Sequence, residues 1–236
     1  MPAAHRASSP DHWVPRSVEP APGNGSFSAA SETADVRRVV LAQRSLIAVA
    51  AAGPGHASGV VEQPRYPAEG LVPYDPRWPT RYAELASRLH RAVGYHWRVE
   101  HIGSTAVPGL LAKPVIDLAV RVSHSKELEE KLADLEAIGW TDLTSLPTHR
   151  ALYQLDDHGV RRAIAHLFSV DQWATAPQRL FPAWLRSHPA DRDQYAALKQ
   201  ALRDSGTWGH DYTAAKAAFV NRVCAKAAAA RDSYEP

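Results

Sequence analysis

The residues best suited to chemistry lie in one stretch, from His101 to Asp117. Gly103 and Ser104 end a strand-like run, and Asp117 lies within a second apolar run. A glycine lets backbone N–H groups approach a phosphate, and a carboxylate on the next strand can hold the Mg²⁺ that accompanies it. We therefore expect Gly103, Ser104 and Thr105 to contact phosphate. Asp117 is the expected catalytic residue and metal ligand, with Mg²⁺ as the cofactor.

Three neighbouring side chains extend this candidate site. Lys113 could neutralise phosphate as a point cation, or it could be a solvated loop lysine. His101 could contact the ligand or pack in the interior. Glu100 could be a second metal ligand or one half of a structural salt bridge, and the residues alone leave these alternatives open.

Two further groups of polar residues lie farther along the chain. His166 is in phase with Arg162 on a strand-like run that also carries Arg161, so this strand could offer a basic face to a triphosphate or an acidic substrate, although a core histidine explains His166 as well. Tyr195 and Lys199 are four residues apart and share one face of a predicted helix. They could close over the cleft or pack against the sheet. We include Arg162, His166 and Lys199 among the phosphate-binding candidates.

The surrounding pattern predicts an α+β fold, in which a mixed β-sheet is flanked by helices and followed by a helical C-terminal tail. On the second strand, alternation places Asp117 and Ala119 on one face and the large apolar residues on the core face. A hairpin turn is predicted at residues 156–159. The predicted elements are a helix beginning at Asp75-Pro76 and ending at Gly94, strands at 97–102 and 115–122, a helix at 125–138, hairpin strands at 151–155 and 160–170, and helices from 172 to 230.

Composition sets the broad class of the protein. A net charge of +2 in 236 residues gives no case for nucleic-acid binding, and the single cysteine fits a reducing cytoplasm. The longest apolar run is too short to cross a membrane. We expect residues 1–68 to be a mostly disordered extension or a regulatory tail, with one helix over 34–52. The extension could also reflect translation that begins later. Residues 69–230 would form the domain and 231–236 a tail.

The segment from Tyr74 to Lys216 resembles the GrpB family, a branch of the nucleotidyltransferase superfamily whose domain also occurs fused to bacterial dephospho-CoA kinases. The similarity lies in Tyr74–Pro79, Glu100–Leu110, Lys113–Asp117, Leu185–Pro189 and Tyr195–Lys199. It implies a nucleotidyltransferase-like fold, in which the strand carrying His166 faces the cleft.

The resemblance also implies Mg²⁺-dependent transfer of a nucleotidyl group from a nucleoside triphosphate to an acceptor. The superfamily strand reads Asp-x-Asp or Asp-x-Glu, whereas this chain has Asp117-Leu118-Ala119. Glu100, Asp156 and Asp157 are the candidate substitutes, although the last two are equally good turn formers. An inactive nucleotide-binding accessory module, linked to coenzyme A biosynthesis, is therefore the alternative. The expected partner is a nucleotide or phosphorylated small molecule, and a protein partner is left open.

Overall fold

The computed structural model describes residues 64–145, 149–207 and 209–232. The predicted helix at 34–52 and most of the predicted extension lie outside these residues. The helices are α1 (Trp78–Val93), α2 (Ser125–Ala137), α3 (Val170–Trp173), α4 (Pro177–Ser187), α5 (Pro189–Asp204) and α6 (Gly209–Asp232). The strands are β1 (Arg98–Ile102), β2 (Ile116–Arg121), β3 (Thr141–Ser145), β4 (Arg150–Leu155) and β5 (Arg161–Phe168).

The strands form one mixed sheet in the order β1-β2-β5-β4-β3. The two strands that carry the candidate residues, β2 and β5, are adjacent and parallel, and the other neighbouring pairs are antiparallel. The predicted α+β class and mixed sheet are therefore confirmed. Because β2 lies between β1 and β5, side chains from three strands meet around Asp117.

One face of the sheet packs on α1 and α2. The helix α1 presents apolar residues at helical spacing and ends at Gly94, which has a φ of +101° and donates its N–H to the His90 carbonyl. The core on this face contains Trp78, Leu89, Trp97, Leu118, Val120, Leu135 and Trp140. The predicted alternation along β2 is confirmed, because Leu118 and Val120 lie in this core while Asp117 does not.

The opposite face of the sheet is covered by the C-terminal helices. Ala119 is fully buried there in a small cluster with Phe168 and Trp173. A separate cluster joins Val107 and Leu110, in the loop between β1 and β2, to α4, α5 and α6. The helical tail therefore encloses the loop that carries the candidate phosphate-binding residues.

Three features differ from the sequence-based expectation. The strand β3 was not predicted, because it is short, polar and at the sheet edge, where alternation is weak. Asp75 begins a turn rather than the helix, since its Oδ1 accepts the Arg77 N–H and α1 starts at Trp78. Ordered contacts begin before residue 69, because Arg65 forms a β-bridge with Val160.

Candidate functional site

The turn after β1 brings Gly103 against Asp117. Ile102 ends β1 and pairs with Asp117 on β2, and one helical turn over Ser104–Ala106 follows. Gly103 has a φ of +70°, and a Cβ built on it would stand 2.1 Å from Asp117 Oδ2. The turn therefore needs glycine both for its backbone conformation and for the space that the carboxylate fills. The structure places the Gly-Ser turn and Asp117 side by side, as their spacing predicts.

Gly103→Ala should destabilise the domain more than an ordinary glycine substitution. The alanine must adopt a positive φ, which costs about 1 kcal/mol, and it must also displace the Asp117 carboxylate. We expect the free energy of unfolding in urea to fall by about 2 to 4 kcal/mol. Gly206→Ala is the matched control, because Gly206 has a φ of +69° and a built Cβ there meets no described atom within 4 Å. Equal losses in the two variants would contradict the proposed clash.

Asp117 and His166 face each other across the two parallel strands. The Asp117 side chain is 26% exposed, and it makes no hydrogen bond to any residue that the structure describes. His166 Nε2 lies 3.9 Å from Asp117 Oδ1. His166 pairs with Ala119, so it shares the face of Asp117. The implied orientation of His166 toward the cleft is therefore observed.

Glu100 lies beside this site but is held by an arginine. It pairs with Ala119, and its carboxylate accepts two hydrogen bonds from Arg179 of α4, at 2.7 and 2.8 Å. The Arg179 guanidinium also stacks 3.9 Å from the Trp173 ring. Of the two readings of Glu100, the structure favours the salt bridge over the metal ligand. No group of three or more His, Cys, Asp or Glu side chains suited to a metal occurs among the described residues.

Lys199 lies directly behind the Gly-Ser turn. It is 2% exposed, and its Nζ donates to Ser104 Oγ at 2.9 Å and to the Leu111 carbonyl. Burial, together with the nearby charges of Lys216 and Lys113, lowers the pKa of Lys199 to about 7. The Tyr195 hydroxyl also shares a hydrogen bond with Ser104. Tyr195 and Lys199 therefore use their common helix face to hold Ser104.

Two half-buried lysines lie near Lys199. Lys113 Nζ lies 3.6 Å from the centre of the Tyr66 ring, and Lys216 Nζ lies 4.0 Å from that of Tyr212. Burial lowers the pKa of Lys113, and burial together with Lys113 lowers the pKa of Lys216 to about 8. Asp117 is the carboxylate whose charge opposes these shifts at Lys199 and Lys216. We call Lys113, Lys199 and Lys216 the lysine cluster.

The two arginines of the predicted basic face, Arg161 and Arg162, lie in different surroundings. Arg162 lies at the hairpin turn, where it donates to Asp156 Oδ2 at 2.6 Å and its side chain is 51% exposed. Arg161 instead lies 4.4 Å from the centre of the Tyr66 ring, beside the lysine cluster. The register between β4 and β5 shifts opposite Arg161, which breaks the simple alternation used for the prediction. Asp156 is a turn former, since its Oδ1 accepts the Val160 N–H.

A cavity of about 230 Å³ opens in front of Asp117. Its polar lining comes from Asp117, His166 and Gln178, and the Gln178 Oε1 atom is buried without a hydrogen-bond partner among the described residues. The remaining lining residues are Ile102, Gly103, Pro177, Phe181, Pro182 and Val220. A mostly apolar cavity with a few converging polar groups is typical of a small-molecule site.

Comparison with known proteins places this fold in a family. The model of the GrpB protein family matches residues 70–226. The chain belongs to the GrpB family. None of its described helices has the length and apolar character needed to cross a bilayer.

The GrpB relatives include proteins from several bacteria. A UPF0157 protein of Halalkalibacterium halodurans is 34% identical over 163 residues, which cover 66% of this chain and 81% of that protein. A UPF0157 protein of Streptomyces coelicolor is 35% identical over 164 residues, which cover 69% and 86%. The crystal structure of the conserved protein GrpB from Enterococcus faecalis aligns with a TM-score of 0.61 and 28% identity, covering 70% of this chain and 99% of that one.

A dephospho-CoA kinase is also among the relatives of this GrpB domain. The protein from Mycolicibacterium paratuberculosis is 31% identical over 157 residues, but these cover only 39% of its length. The match is therefore to one part of a longer protein.

Two residues of the GrpB-like motif turn away from Asp117. His101 pairs with Leu118, and its ring stacks on Tyr82 at 4.8 Å on the opposite face of the sheet. Burial lowers the pKa of His101 to about 4, so its ring is neutral. The buried Thr105 hydroxyl donates to the Val115 carbonyl and lies 3.1 Å from His101 Nε2. Contrary to expectation, both side chains support the loop from inside rather than reaching the site.

Several residues of this GrpB site were not identified from the sequence. His149 Nε2 lies 2.8 Å from His166 Nδ1, and burial lowers the pKa of His149 to about 3. Tyr212 and Lys216 lie four residues apart on α6, and this spacing could have indicated that they share one helix face. Tyr66 fell within the predicted extension and carried no signal of its own.

Proposed function

We propose that this domain binds the polyphosphate of a nucleoside triphosphate and transfers the nucleotidyl group to an acceptor. The lysine cluster beside the Gly-Ser turn is the observation that carries the proposal. Lys199 contacts Ser104, the charges of Lys216 and Lys113 act on Lys199, and Asp117 opposes the shifts of Lys199 and Lys216, so a polyanionic ligand would stabilise the charged lysines. Half-buried Lys113 and Lys216 can reach that ligand, while Lys199 acts from behind Ser104.

The chemistry follows from this placement. An acceptor hydroxyl oxygen attacks the α-phosphorus and gives its proton to solvent, the bond between the α-phosphorus and the oxygen that bridges to the β-phosphate breaks, and pyrophosphate leaves. Lys113 and Lys216 would neutralise the charge that develops on the pyrophosphate. Asp117 lines the cavity where the reacting phosphate and the acceptor would meet.

The described residues do not supply the acidic ligands of a paired-Mg²⁺ site, whereas a single Mg²⁺ would need only Asp117 together with phosphate oxygens and water. Mg²⁺ takes oxygen ligands in near-octahedral geometry, and paired-metal transfer needs about three acidic ligands. Asp117 supplies one carboxylate, Glu100 is held by Arg179, and Ala119 supplies none. The side chain next to Asp117 is an imidazole, His166. We derive no reaction step through Mg²⁺.

Nucleotide binding is tested by thermal shift with ATP, GTP, CTP and UTP, each with and without Mg²⁺. A nucleotide at one hundred times its Kd stabilises the folded state by about 2.7 kcal/mol, so we expect a clear rise in Tm. Asp117→Asn keeps the shape of the side chain but removes its negative charge, and it should change the size of the rise in Tm that the nucleotide produces. Asp193→Asn is the control, because Asp193 is an exposed aspartate on α5, and it should leave the rise in Tm unchanged. No shift with any of the four nucleotides would refute the proposal.

A nucleotide-binding accessory module is the second candidate. It is favoured by the buried Ala119 in place of a second carboxylate and by the match to part of a dephospho-CoA kinase. Labelled nucleoside triphosphates incubated with the protein and a lysate as acceptor pool separate the candidates. A labelled product that disappears in Asp117→Asn supports transfer, whereas binding without any product supports the accessory role.

A further inference from the structure

Tyr66 places a partly exposed aromatic ring beside the lysine cluster. Lys113 Nζ lies 3.6 Å from the centre of this ring, and the guanidinium carbon of Arg161 lies 4.4 Å from it. Tyr66 is nevertheless 47% exposed, whereas Tyr212, whose ring centre is 5.4 Å from the same Lys113 Nζ, is only 3% exposed. Of these two tyrosines, Tyr66 is therefore the one whose ring a ligand can reach.

The backbone on either side of Tyr66 is held in place. Arg65 forms a parallel β-bridge with Val160, and its carbonyl accepts the Arg161 N–H at 2.9 Å. Pro67, the next residue after Tyr66, is buried. The ring therefore stands on an ordered backbone, which reduces the entropy that is lost when a ligand binds to it.

Tyr66 is close enough to the proposed phosphate site to share a ligand with it. Lys113 connects the two, because it contacts the Tyr66 ring and its charge acts on Lys199. Burial raises the pKa of Tyr66, and the charge of Asp117 acts in the same direction, so the ring is a neutral phenol within electrostatic range of that carboxylate. A nucleobase is joined to the α-phosphate by a single sugar, so it must lie within one sugar's length of the groups that hold the phosphates.

The alternation of cations and rings suits a nucleotide better than a phosphate alone. In sites for single-stranded nucleic acid, cations follow the phosphates and aromatic side chains stack on the bases. Here Lys113 lies next to both Tyr66 and Tyr212, and Arg161 lies next to Tyr66. The cations can attract phosphate oxygens, whereas the neutral Tyr66 ring offers a flat apolar surface that a phosphate cannot use.

We propose that the Tyr66 ring stacks against the base of the bound nucleotide, so that the substrate is a nucleotide and not a base-free polyphosphate or a sugar phosphate. This inference rests on the proposed function and deepens it by naming the part of the ligand, besides its phosphates, that the chain recognises. Tyr66 precedes residue 70, where the match to the GrpB family model begins. The contact is therefore added to the domain by the segment that precedes it.

The test compares ATP with inorganic tripolyphosphate, which lacks the sugar and the base, in calorimetric titrations of the full chain. We expect ATP to bind about tenfold more tightly, or better, because stacking on an aromatic side chain contributes that much per base. Tyr66→Leu should lower ATP affinity about tenfold and leave tripolyphosphate affinity within about twofold of the parent. Tyr66→Phe keeps the ring and should bind both ligands as the parent does.

Tyr95→Leu is the matched control for loss of an exposed tyrosine. Tyr95 is 77% exposed just beyond the end of α1, and its ring lies 5.1 Å from that of His90. This variant should bind ATP and tripolyphosphate normally. Equal losses of affinity for the two ligands in Tyr66→Leu would overturn the inference, because the ring would then act only through its neighbouring cations.

A second measurement does not depend on the folding of any variant. Photolabelling of the unaltered protein with 8-azido-ATP supports the inference if the label reaches the peptide that contains Tyr66, and overturns it if that peptide stays unlabelled. The inference alone fails if ATP and tripolyphosphate both bind and neither depends on the Tyr66 ring. Binding of neither ligand refutes the proposed function. If ATP binds through Tyr66 and no labelled product forms, the inference stands and only the transfer reaction is refuted.

Discussion

Lys199→Met should remove most of the thermal response to nucleotide and, at pH 7, stabilise the unliganded protein. The ammonium of Lys199 is buried beside Lys216 and Lys113, so its positive charge is costly in the absence of an anion. Methionine keeps the length of the side chain and removes that cost. It also releases Ser104 Oγ, which loses its donor and its fixed orientation. We expect nucleotide affinity to fall about tenfold to one-hundredfold, or about 1.4 to 2.8 kcal/mol.

The measurement is a pair of melting curves, with and without nucleotide. Lys126→Met is the matched control, because the Lys126 side chain is 83% exposed and pairs at the surface with Glu130, at 3.7 Å. The pH dependence gives a second readout. The pKa of Lys199 is about 7 in the folded state against an ordinary 10.5, so the unfolded chain binds more protons between these values. The free energy of unfolding should therefore rise from pH 7 to pH 10, and less so in Lys199→Met. A variant less stable than the parent at pH 7 would contradict the argument.

Nucleotide binding should take up protons and weaken as the pH rises. Burial lowers the pKa of Lys199 to about 7 and that of Lys216 to about 8, so both are partly neutral at pH 8. A polyphosphate favours the charged forms and raises both pKa values. Binding at pH 8 should therefore be accompanied by uptake of about one proton, and affinity should decrease from pH 7 to pH 9.

Calorimetry in two buffers of different ionisation enthalpy measures this uptake directly. Lys216→Met should reduce the number of protons taken up, because it removes the group that titrates closest to pH 8. Lys126→Met again serves as the control for an exposed lysine. The same apparent enthalpy in both buffers would show that no proton is taken up, and would refute the involvement of neutral lysines.

Local patterns predicted the parts of the site that lie close together in the sequence. The Gly103-Ser104 turn and Asp117 belong to consecutive strands that pair, so strand alternation was sufficient to bring them together. Helical spacing predicted that Tyr195 and Lys199 share one face of α5, but it did not predict the contact of Lys199 with Ser104, 95 residues away. The packing of β2 also followed from alternation, since its apolar residues lie on one face.

Other parts of the site depend on tertiary contacts that no local pattern encodes. A shift in strand register separates Arg161, beside the lysine cluster, from Arg162, at the hairpin turn, and a bulge of that kind leaves no mark in residue spacing. His149 and His166 meet only because β4 and β5 pair. Glu100 was ambiguous until Arg179, 79 residues away, was placed against it.

The burial of Ala119 limits how this site can be redesigned. Ala119 lies under Phe168 and Trp173, and its neighbour Glu100 is bound to Arg179. A carboxylate introduced at position 119 would enter closed space and face an existing ion pair. A second acidic ligand at position 119 therefore cannot be installed by one substitution, because the aromatic cover and the arginine must change with it. Stepwise conversion of this site into that of a two-carboxylate metal enzyme therefore cannot proceed through position 119.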